Sequence, residues 1–325
     1  MKLLRSTLLI LAIAMPASAL AQGAARTSAA AVKVTVLSTM LVGNGGAGGI
    51  GEWGFAALLE VDGRRILIDT GARPETVLKN VEEMRIDLSN VTEVVLTHNH
   101  ADHTGGLLAL RRAVMAKNRD ALSRVHVPAG IFTSRVDANG RELGGLLPIK
   151  SEFEKLGGRF IEHAAPFELA PGAWLLGPVP RVHPERNWSS TGRLQLPGGA
   201  VEDNVPEDTA IAINTASGLV VISGCGHAGI INTLEYARKV VADVPVEAAI
   251  GGFHLFGASD DALAWTGGRL KALGVRHLLG AHCTGIEAVF RLRQIVGLAR
   301  QTAVVGAVGS SFTLGKGIES PPLAR

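Results

Sequence analysis

Three features of this sequence predict an α/β protein. Extended apolar runs alternate with helical patterns through both halves of the chain, and polar residues gather where the runs end. The composition, 47% hydrophobic with only 4% aromatic residues, is that of a globular core built from small aliphatic side chains. A chain of 325 residues can bury a large core.

The first residues, MKLLRSTLLILAIAMPASALAQG, carry Lys2 and Arg5, an apolar stretch from Leu8 to Met15, and Ala19-Leu20-Ala21 before Gln22. That order matches a secretory signal peptide over residues 1–21, cleaved after Ala21, and places the mature protein, residues 22–325, in the periplasm or outside the cell. An uncleaved anchor is the alternative; the stretch is shorter than the ~20 residues a spanning helix needs. No later segment is long enough to span.

From Val32 the strands Lys33 to Leu41, Ala56 to Glu60 and Arg65 to Asp69 are predicted, with a glycine-heavy loop, Gly43 to Gly51, between the first two. That loop is no phosphate cradle, because neither a Lys-Ser/Thr pair nor a helix start follows it. A helix from about Pro74 to Met84 comes next, then the strand Val91 to Thr97 and a helix from about Gly106 to Ala116. The middle, about 131–199, is dense in Gly, Pro and charge, with strand-like patches such as Ala173 to Leu176, and is expected to be an elaboration on a single domain. The second half resumes the alternation: strand Leu219 to Ser223, helix Ile230 to Val241, strand Val246 to Gly251, helix Asp260 to Leu273, strand Val275 to Leu279, helix Glu287 to Ala299 and strand Ala303 to Val308.

Removing residues 1–21 removes two of 32 basic residues and none of 29 acidic ones, so the formal charge falls from +3 to +1. With no blocks of like charge and no basic patch interleaved with aromatics, nucleic acid is excluded as a partner. Only two cysteines occur, Cys225 and Cys283, too few for a disulfide framework.

The strand Val91 to Thr97 runs into "LTHNHADHTGG", residues 96 to 106, where His98, His100, Asp102 and His103 fall within six positions. A strand end followed by a tight turn aims residues 98 and 100 at one point and residues 102 and 103 at a neighbouring one, which suits two metal ions. Imidazole nitrogen and carboxylate oxygen are ligands that zinc favours, and an open position beside them marks a catalytic rather than a structural site.

This H-x-H-x-D-H pattern resembles the signature of the metallo-β-lactamase superfamily of metallohydrolases. The resemblance implies a four-layer αββα sandwich, and it implies that Asp69, in Leu67-Ile68-Asp69-Thr70-Gly71, is the aspartate that orients the ligand loop from outside the metal shell.

Seven histidines lie outside the cluster. "SGCGHAGIINTLE" places His227 after a strand and before a helix, "GAHCTG" does the same for His282, and "GGFHLFGAS" puts His254 at a third strand end. In this order the phrases resemble a narrower branch, the proteins similar to 7,8-dihydropterin-6-methyl-4-(β-D-ribofuranosyl)aminobenzene-5′-phosphate synthase, and "GFAALLEVDGRRILIDTG" and "GPVPRVHPERNW" extend that resemblance over nearly the whole mature chain. It implies that His227 and His282 are metal ligands and that His254 lines the pocket or serves as an alternative ligand. His126 and His277, inside strand-like stretches, are expected to be structural, His163 a surface-loop residue, and His183 solvated or reaching substrate with Arg181 or Arg186.

The chain departs from the superfamily in one place that matters. Where most members carry a metal-bridging aspartate, Cys225 stands, so the thiolate is a possible ligand; Asp208 is the nearest upstream carboxylate that could assist. Ala281 replaces a cysteine usual in the branch two residues before Cys283.

Two zinc ions per chain, with manganese or iron as alternatives, would lower the pKa of bound water from about 15.7 to about 7 and supply a metal-bound hydroxide as nucleophile. Asp102 would be the catalytic residue that orients the water and shuttles its proton. The expected function is an exported metal-dependent hydrolase of an ester, lactone or phosphoester-type small molecule, without stable membrane insertion. The alternatives are the synthase-type condensation that the branch name implies, which export argues against, and a non-catalytic module that binds metal or a small molecule. Oligomeric state and substrate identity stay open.

Overall fold

The computed structural model describes residues 27–43, 49–188 and 192–322. The expected signal peptide and most of the glycine-heavy loop lie outside these residues. In chain order the strands are β1 (Val32–Ser38), β2 (Ala56–Val61), β3 (Arg64–Ile68), β4 (Glu93–Val95), β5 (Arg124–Pro128), β6 (Arg135–Val136), β7 (Arg159–His163), β8 (Phe167–Ala170), β9 (Ala173–Leu175), β10 (Arg193–Leu196), β11 (Gly199–Glu202), β12 (Ala210–Thr215), β13 (Gly218–Ser223), β14 (Val246–Gly251), β15 (His277–Gly280), β16 (Ala303–Val305), β17 (Ser311–Thr313) and β18 (Gly317–Glu319). The helices are α1 (Thr76–Glu83), α2 (Ala101–Thr104), α3 (Leu107–Met115), α4 (Lys150–Lys155), α5 (Ile230–Val240), α6 (Asp260–Ala272) and α7 (Ile286–Val296).

Two large sheets form. One runs β18-β17-β1-β2-β3-β4-β5-β7, the other β16-β15-β14-β13-β12-β9-β8, and a small sheet β11-β10-β6 stands apart. The hairpin between β2 and β3 turns on Asp62-Gly63, both at positive φ, the dipeptide that a two-residue turn of this hand prefers.

Alternation along the central strands makes the layers. In β3, Ile66 and Ile68 face the second sheet while Leu67 packs under the helices; in β13, Val220 and Ile222 face the first sheet while Leu219 and Val221 turn to their own helices. Both faces of these strands are therefore buried, which explains their continuous apolar sequences. Outside the first sheet lie α1, α3 and α4, through Val77, Leu107, Leu110 and Phe153. Outside the second lie α5, α6 and α7, through Leu234, Leu270 and Leu292. The result is the expected four-layer αββα sandwich.

Strand neighbours place the site. β3, β4, β5 and β7 are parallel, as are β13, β14, β15 and β16, the latter joined through α5, α6 and α7. Loops at the C-terminal ends of parallel strands are where open sheets carry ligands. The segments after β4, β13, β14 and β15 carry the four histidine phrases.

The stretch 131–199, expected to be one elaboration, divides. β7 closes an edge of the first sheet, β8 and β9 close an edge of the second, and only β6, β10 and β11 stand outside the sandwich. Short, half-exposed strands with charged residues read poorly from the sequence but still satisfy sheet edges. β12, β17 and β18 were not expected either. β12 pairs with β9 and β13 in the second sheet, while β17 and β18 return the chain to β1 in the first.

Candidate metal centre

Asp69 ends β3 in the left-handed region at φ 54°, a conformation that costs a non-glycine residue energy and recurs at functional sites. From there its Oδ1 accepts the Thr97 N–H at 2.8 Å, and its Oδ2 accepts the Thr97 hydroxyl at 2.8 Å and sits 2.7 Å from His103 Nδ1. The approach is tight: a Cβ on Gly224 would lie 2.1 Å from the Thr97 hydroxyl and 2.6 Å from Asp69 Oδ2. Asp69 therefore touches His103 and the backbone ahead of His98, the position from which the resemblance implied an outer role.

One consequence is a fixed tautomer. His103 has Nδ1 tied to Asp69, so Nε2 turns inward, 3.1 Å from the Cys225 sulfur. His98 Nδ1 lies 3.0 Å from the Thr97 hydroxyl, and His227 Nδ1 2.5 Å from the Asn187 carbonyl, which accepts its proton. The Nε2 atoms of His98 and His227 then face each other at 3.2 Å. Anchoring one ring nitrogen to orient the other is how metal-binding histidines are held.

The inward-facing donors fall into sets whose ligand atoms all lie within 4.8 Å of one another: His98, His100 and Asp102; His98, Cys225 and His227; and Asp102, His103, Cys225 and His282. All six expected ligands are brought together, and the Cys225 sulfur stands where the last two sets meet. His254, on the wall of a neighbouring cavity, lies with its ring centroid 4.7 Å from that of His227. Asp208 belongs to none of these sets; its Oδ2 accepts the Ala228 N–H at 2.8 Å, and burial pushes its pKa up to about 7.

Electrostatics favour a cation here. Burial, then the neighbouring imidazoles, hold His98 well below the ordinary histidine range, and burial does the same to His227. Burial brings His100 down to about 4, although Asp102 opposes it. Burial pushes Asp102 up, but His103 and His282 outweigh it and hold the carboxylate well below its usual range. Neutral His98, His100 and His227 beside an ionised Asp102 are in the state a divalent cation requires, whereas His282, which burial pushes down but Cys283 and Asp102 raise to about 10, would release a proton to bind one. Both ring nitrogens of His282 are buried without hydrogen-bond geometry to any partner, although Nε2 is 3.3 Å from Asp102 Oδ2. Orphaned buried nitrogens of this kind call for an ion, so the residues present fit a metal.

The structure also supplies supports that the sequence did not disclose. Asn99, between His98 and His100, donates from Nδ2 to the Ile131 carbonyl at 2.5 Å and accepts the Leu146 N–H at 3.2 Å, tying the histidine loop to residues 131–146. Arg135 is buried between Asp203, at 2.8 Å, and Glu207, whose other oxygen accepts the Asn99 N–H. Arg135, Asp203 and Glu207 stand in polar, charge-rich stretches that gave no sign of burial. Trp53 packs edge-on against His282, centroids 5.1 Å apart, and against Phe256. His163, expected on a surface loop, is instead buried in β7, its Nε2 2.9 Å from His126 Nδ1. The two strands are parallel neighbours, which presses the imidazoles together. His126 and His277 are structural as expected, paired with Glu93 and Glu247, and half-exposed His183 pairs with Glu235.

Comparison with known proteins decides the family. The 7,8-dihydropterin-6-methyl-4-(β-D-ribofuranosyl)-aminobenzene-5′-phosphate synthase of Methanocaldococcus jannaschii is 34% identical over 247 residues, 73% of this chain and 82% of that protein. The chain belongs to that family, within the metallo-β-lactamase superfamily. A family model described as anti-Pycsar protein Apyc1 matches residues 37–127, and Apyc1 of Paenibacillus xerothermodurans is 27% identical over 42% of this chain and 54% of its own length. Among solved structures, Tm1679, described as a metal-dependent hydrolase of the β-lactamase superfamily, superposes with a TM-score of 0.69 at 26% identity, covering 86% of this chain and 98% of that one. YhfI of Bacillus subtilis shares the metallo-β-lactamase fold at a TM-score of 0.52 and 14% identity, covering 87% of this chain and 99% of that one. Members of the superfamily described as metal-dependent agree with the donor set in supporting metal binding by this chain. Among the described residues no helix is long and apolar enough to cross a membrane.

Proposed function

We propose that this protein is an exported hydrolase that uses two divalent cations, zinc in the first instance, to cleave an ester, lactone or phosphoester-type small molecule. The observation that carries the proposal is that the donors gather as two groups that meet at the Cys225 sulfur: the rings of His98, His100 and His227 lie with centroids 4.6 to 4.8 Å apart, and Asp102, His103, Cys225 and His282 have their ligand atoms within 4.8 Å of one another. His98, His100 and His227 would hold one ion, Asp102, His103 and His282 the other, and Cys225 would reach both.

Cations bound there would acidify water and neutralise the charge that builds on the scissile group. The remaining work falls to the chain. Asp102, 3.3 Å from His282 Nε2 and 3.9 Å from His103 Nε2, would orient the attacking water and take its proton on Oδ2. A cavity of about 540 Å³ opens beside His254, lined by Arg186, Trp188, Phe256 and Trp265, and is large enough for a small organic substrate. Arg186 and the aromatic faces would hold an anionic or planar part of that molecule while Asn187, from the same wall, keeps His227 oriented.

The leader-like residues 1–21 support export to the periplasm or beyond. A synthase-type condensation is the second reading, favoured by the name of the Methanocaldococcus relative. A substituted bridging position favours a third, a binding module without turnover. Elemental analysis of the mature protein prepared without chelator, with a screen of chromogenic ester and phosphodiester substrates, separates them. About two metals per chain and turnover that returns with added metal are expected; one metal or none, without turnover, would overturn the hydrolase.

A further inference from the structure

We propose that Cys225, Cys283 and His254 form a further cation site, soft in character, which shares the Cys225 sulfur with the histidine-rich centre and takes a thiophilic d10 ion such as zinc or monovalent copper. The donor atoms of these three residues all lie within 4.8 Å of one another, with the two sulfurs 3.3 Å apart and neither oxidised. Both cysteines are buried. A buried cysteine is ordinarily a small apolar residue with an inert thiol; His254 sets this pair apart.

His254 holds a left-handed backbone at φ 49°, and its Nδ1 is buried without a hydrogen-bond partner. The loop that carries it is laced to Cys283. The N–H groups of Leu255 and Phe256 both donate to the Cys283 carbonyl, at 3.0 and 3.2 Å. The Phe253 N–H donates to the Thr284 hydroxyl at 3.0 Å, and that hydroxyl donates to the Gly251 carbonyl at 2.9 Å. Imidazole and thiol are therefore set against each other by backbone bonds on both sides. The chain can pass so close only because residue 252 is glycine, where a Cβ would fall 2.9 Å from the Cys283 sulfur. His254 also lines the cavity, which provides the entry path.

Donor chemistry assigns the ion class. Two sulfurs and one imidazole select a thiophilic cation, whereas the oxygen and nitrogen donors next door suit a harder one. The site deepens the metal-centre reading but is separable from it, since Cys283 and His254 contribute to neither of the two principal half-sites.

Cadmium is the probe, with the full-length protein reduced and handled without oxygen. Cadmium per chain is measured after desalting, together with ultraviolet thiolate-to-metal absorption, for wild type, Cys283→Ser and His254→Ala. Wild type is expected to hold one more cadmium than C283S, and C283S to lose roughly half of the thiolate absorption because one of two sulfur donors is gone. H254A should keep the absorption but release that last cadmium at lower competitor concentration. The His98→Ala/His100→Ala double variant should lose cadmium from the histidine-rich centre and retain the Cys283-dependent equivalent; a double variant that keeps all of its cadmium would count against the dinuclear reading alone. Equal stoichiometry and equal absorption in wild type and C283S would overturn the site. So would anaerobically isolated protein, before reduction, found to lack both thiols and to weigh two hydrogens less, since the pair would then be a disulfide.

Discussion

The two groups of donors that meet at the candidate site are built from different chemistry. His98, His100 and His227 present only imidazole nitrogen, held neutral by burial, whereas Asp102, His103 and His282 present a carboxylate with two imidazoles, and the Cys225 sulfur stands between the halves. The first set carries no charge of its own and would share Asp102, which lies within 4.8 Å of His98 and His100; the second holds that carboxylate beside its own imidazoles. The difference teaches that one short motif, H-x-H-x-D-H, feeds two unequal groups of donors, with the Cys225 sulfur within 4.8 Å of members of both.

The largest effect should come from breaking the neutral half. The His98→Ala/His100→Ala variant is expected to lose more metal affinity than the roughly 10–100-fold that removal of an outer-shell partner costs. Equilibrium dialysis against a competing chelator checks this, and full metal content in the double variant would refute the assignment.

Asp69→Asn acts on the charged half through His103. It leaves the shape intact but removes the carboxylate that fixes the tautomer, and a loss of about 10–100-fold in affinity is expected. Structural metal analysis of wild type and D69N should locate the loss on the Asp102 side.

Arg135 braces the loop that carries His100. Replacing it with alanine leaves Asp203 and Glu207 buried without their cation, at about 3–5 kcal/mol of stability. Chemical denaturation measures that loss, and weaker metal uptake should accompany it if Asn99 holds the ligand loop in register.

The smallest effect belongs to Glu93, at the far end of β4 from the ligands. Burial pushes its carboxyl up, but hydrogen bonds from His126 and Arg124 bring it down to about 2, against an ordinary value of 4.5. A lowered carboxylate stabilises the fold above its unfolded pKa, and the benefit is lost as pH falls from about 4.5 towards 2. Glu93→Gln should therefore cost on the order of 1 kcal/mol near neutrality after screening by solvent. The gap to wild type should close in acid, with metal content unchanged throughout. A metal loss in E93Q would show that the framework and the centre are not independent.

Local patterns were legible in the chain. The expected strands Ala56 to Glu60 and Val246 to Gly251 and the expected helix Ile230 to Val241 match the elements Ala56–Val61, Val246–Gly251 and Ile230–Val240 to within one residue, because burial on both faces or along one stripe leaves a direct mark on the sequence. The ligand cluster could be read because four donors sit on one turn. His227, His254 and His282 could be placed at strand ends from the apolar runs and glycines before them, and the resemblance implied their roles. β12, β17 and β18 were missed: the last two are three residues long, and all three are defined by the strands they join.

By itself the sequence determined the α/β alternation, the ligand turn at residues 98–103 and the strand-end histidines, since each depends on neighbours a few residues away. Only the tertiary structure decided that the Cys225 and Cys283 sulfurs, 58 positions apart in the chain, lie 3.3 Å from each other, that Asn187 orients His227, and that Arg135 and Glu207 support the ligand loop. Such contacts arise where parallel strands of two packed sheets end side by side. Their distance in space is set by strand register and layer packing, which no local pattern records.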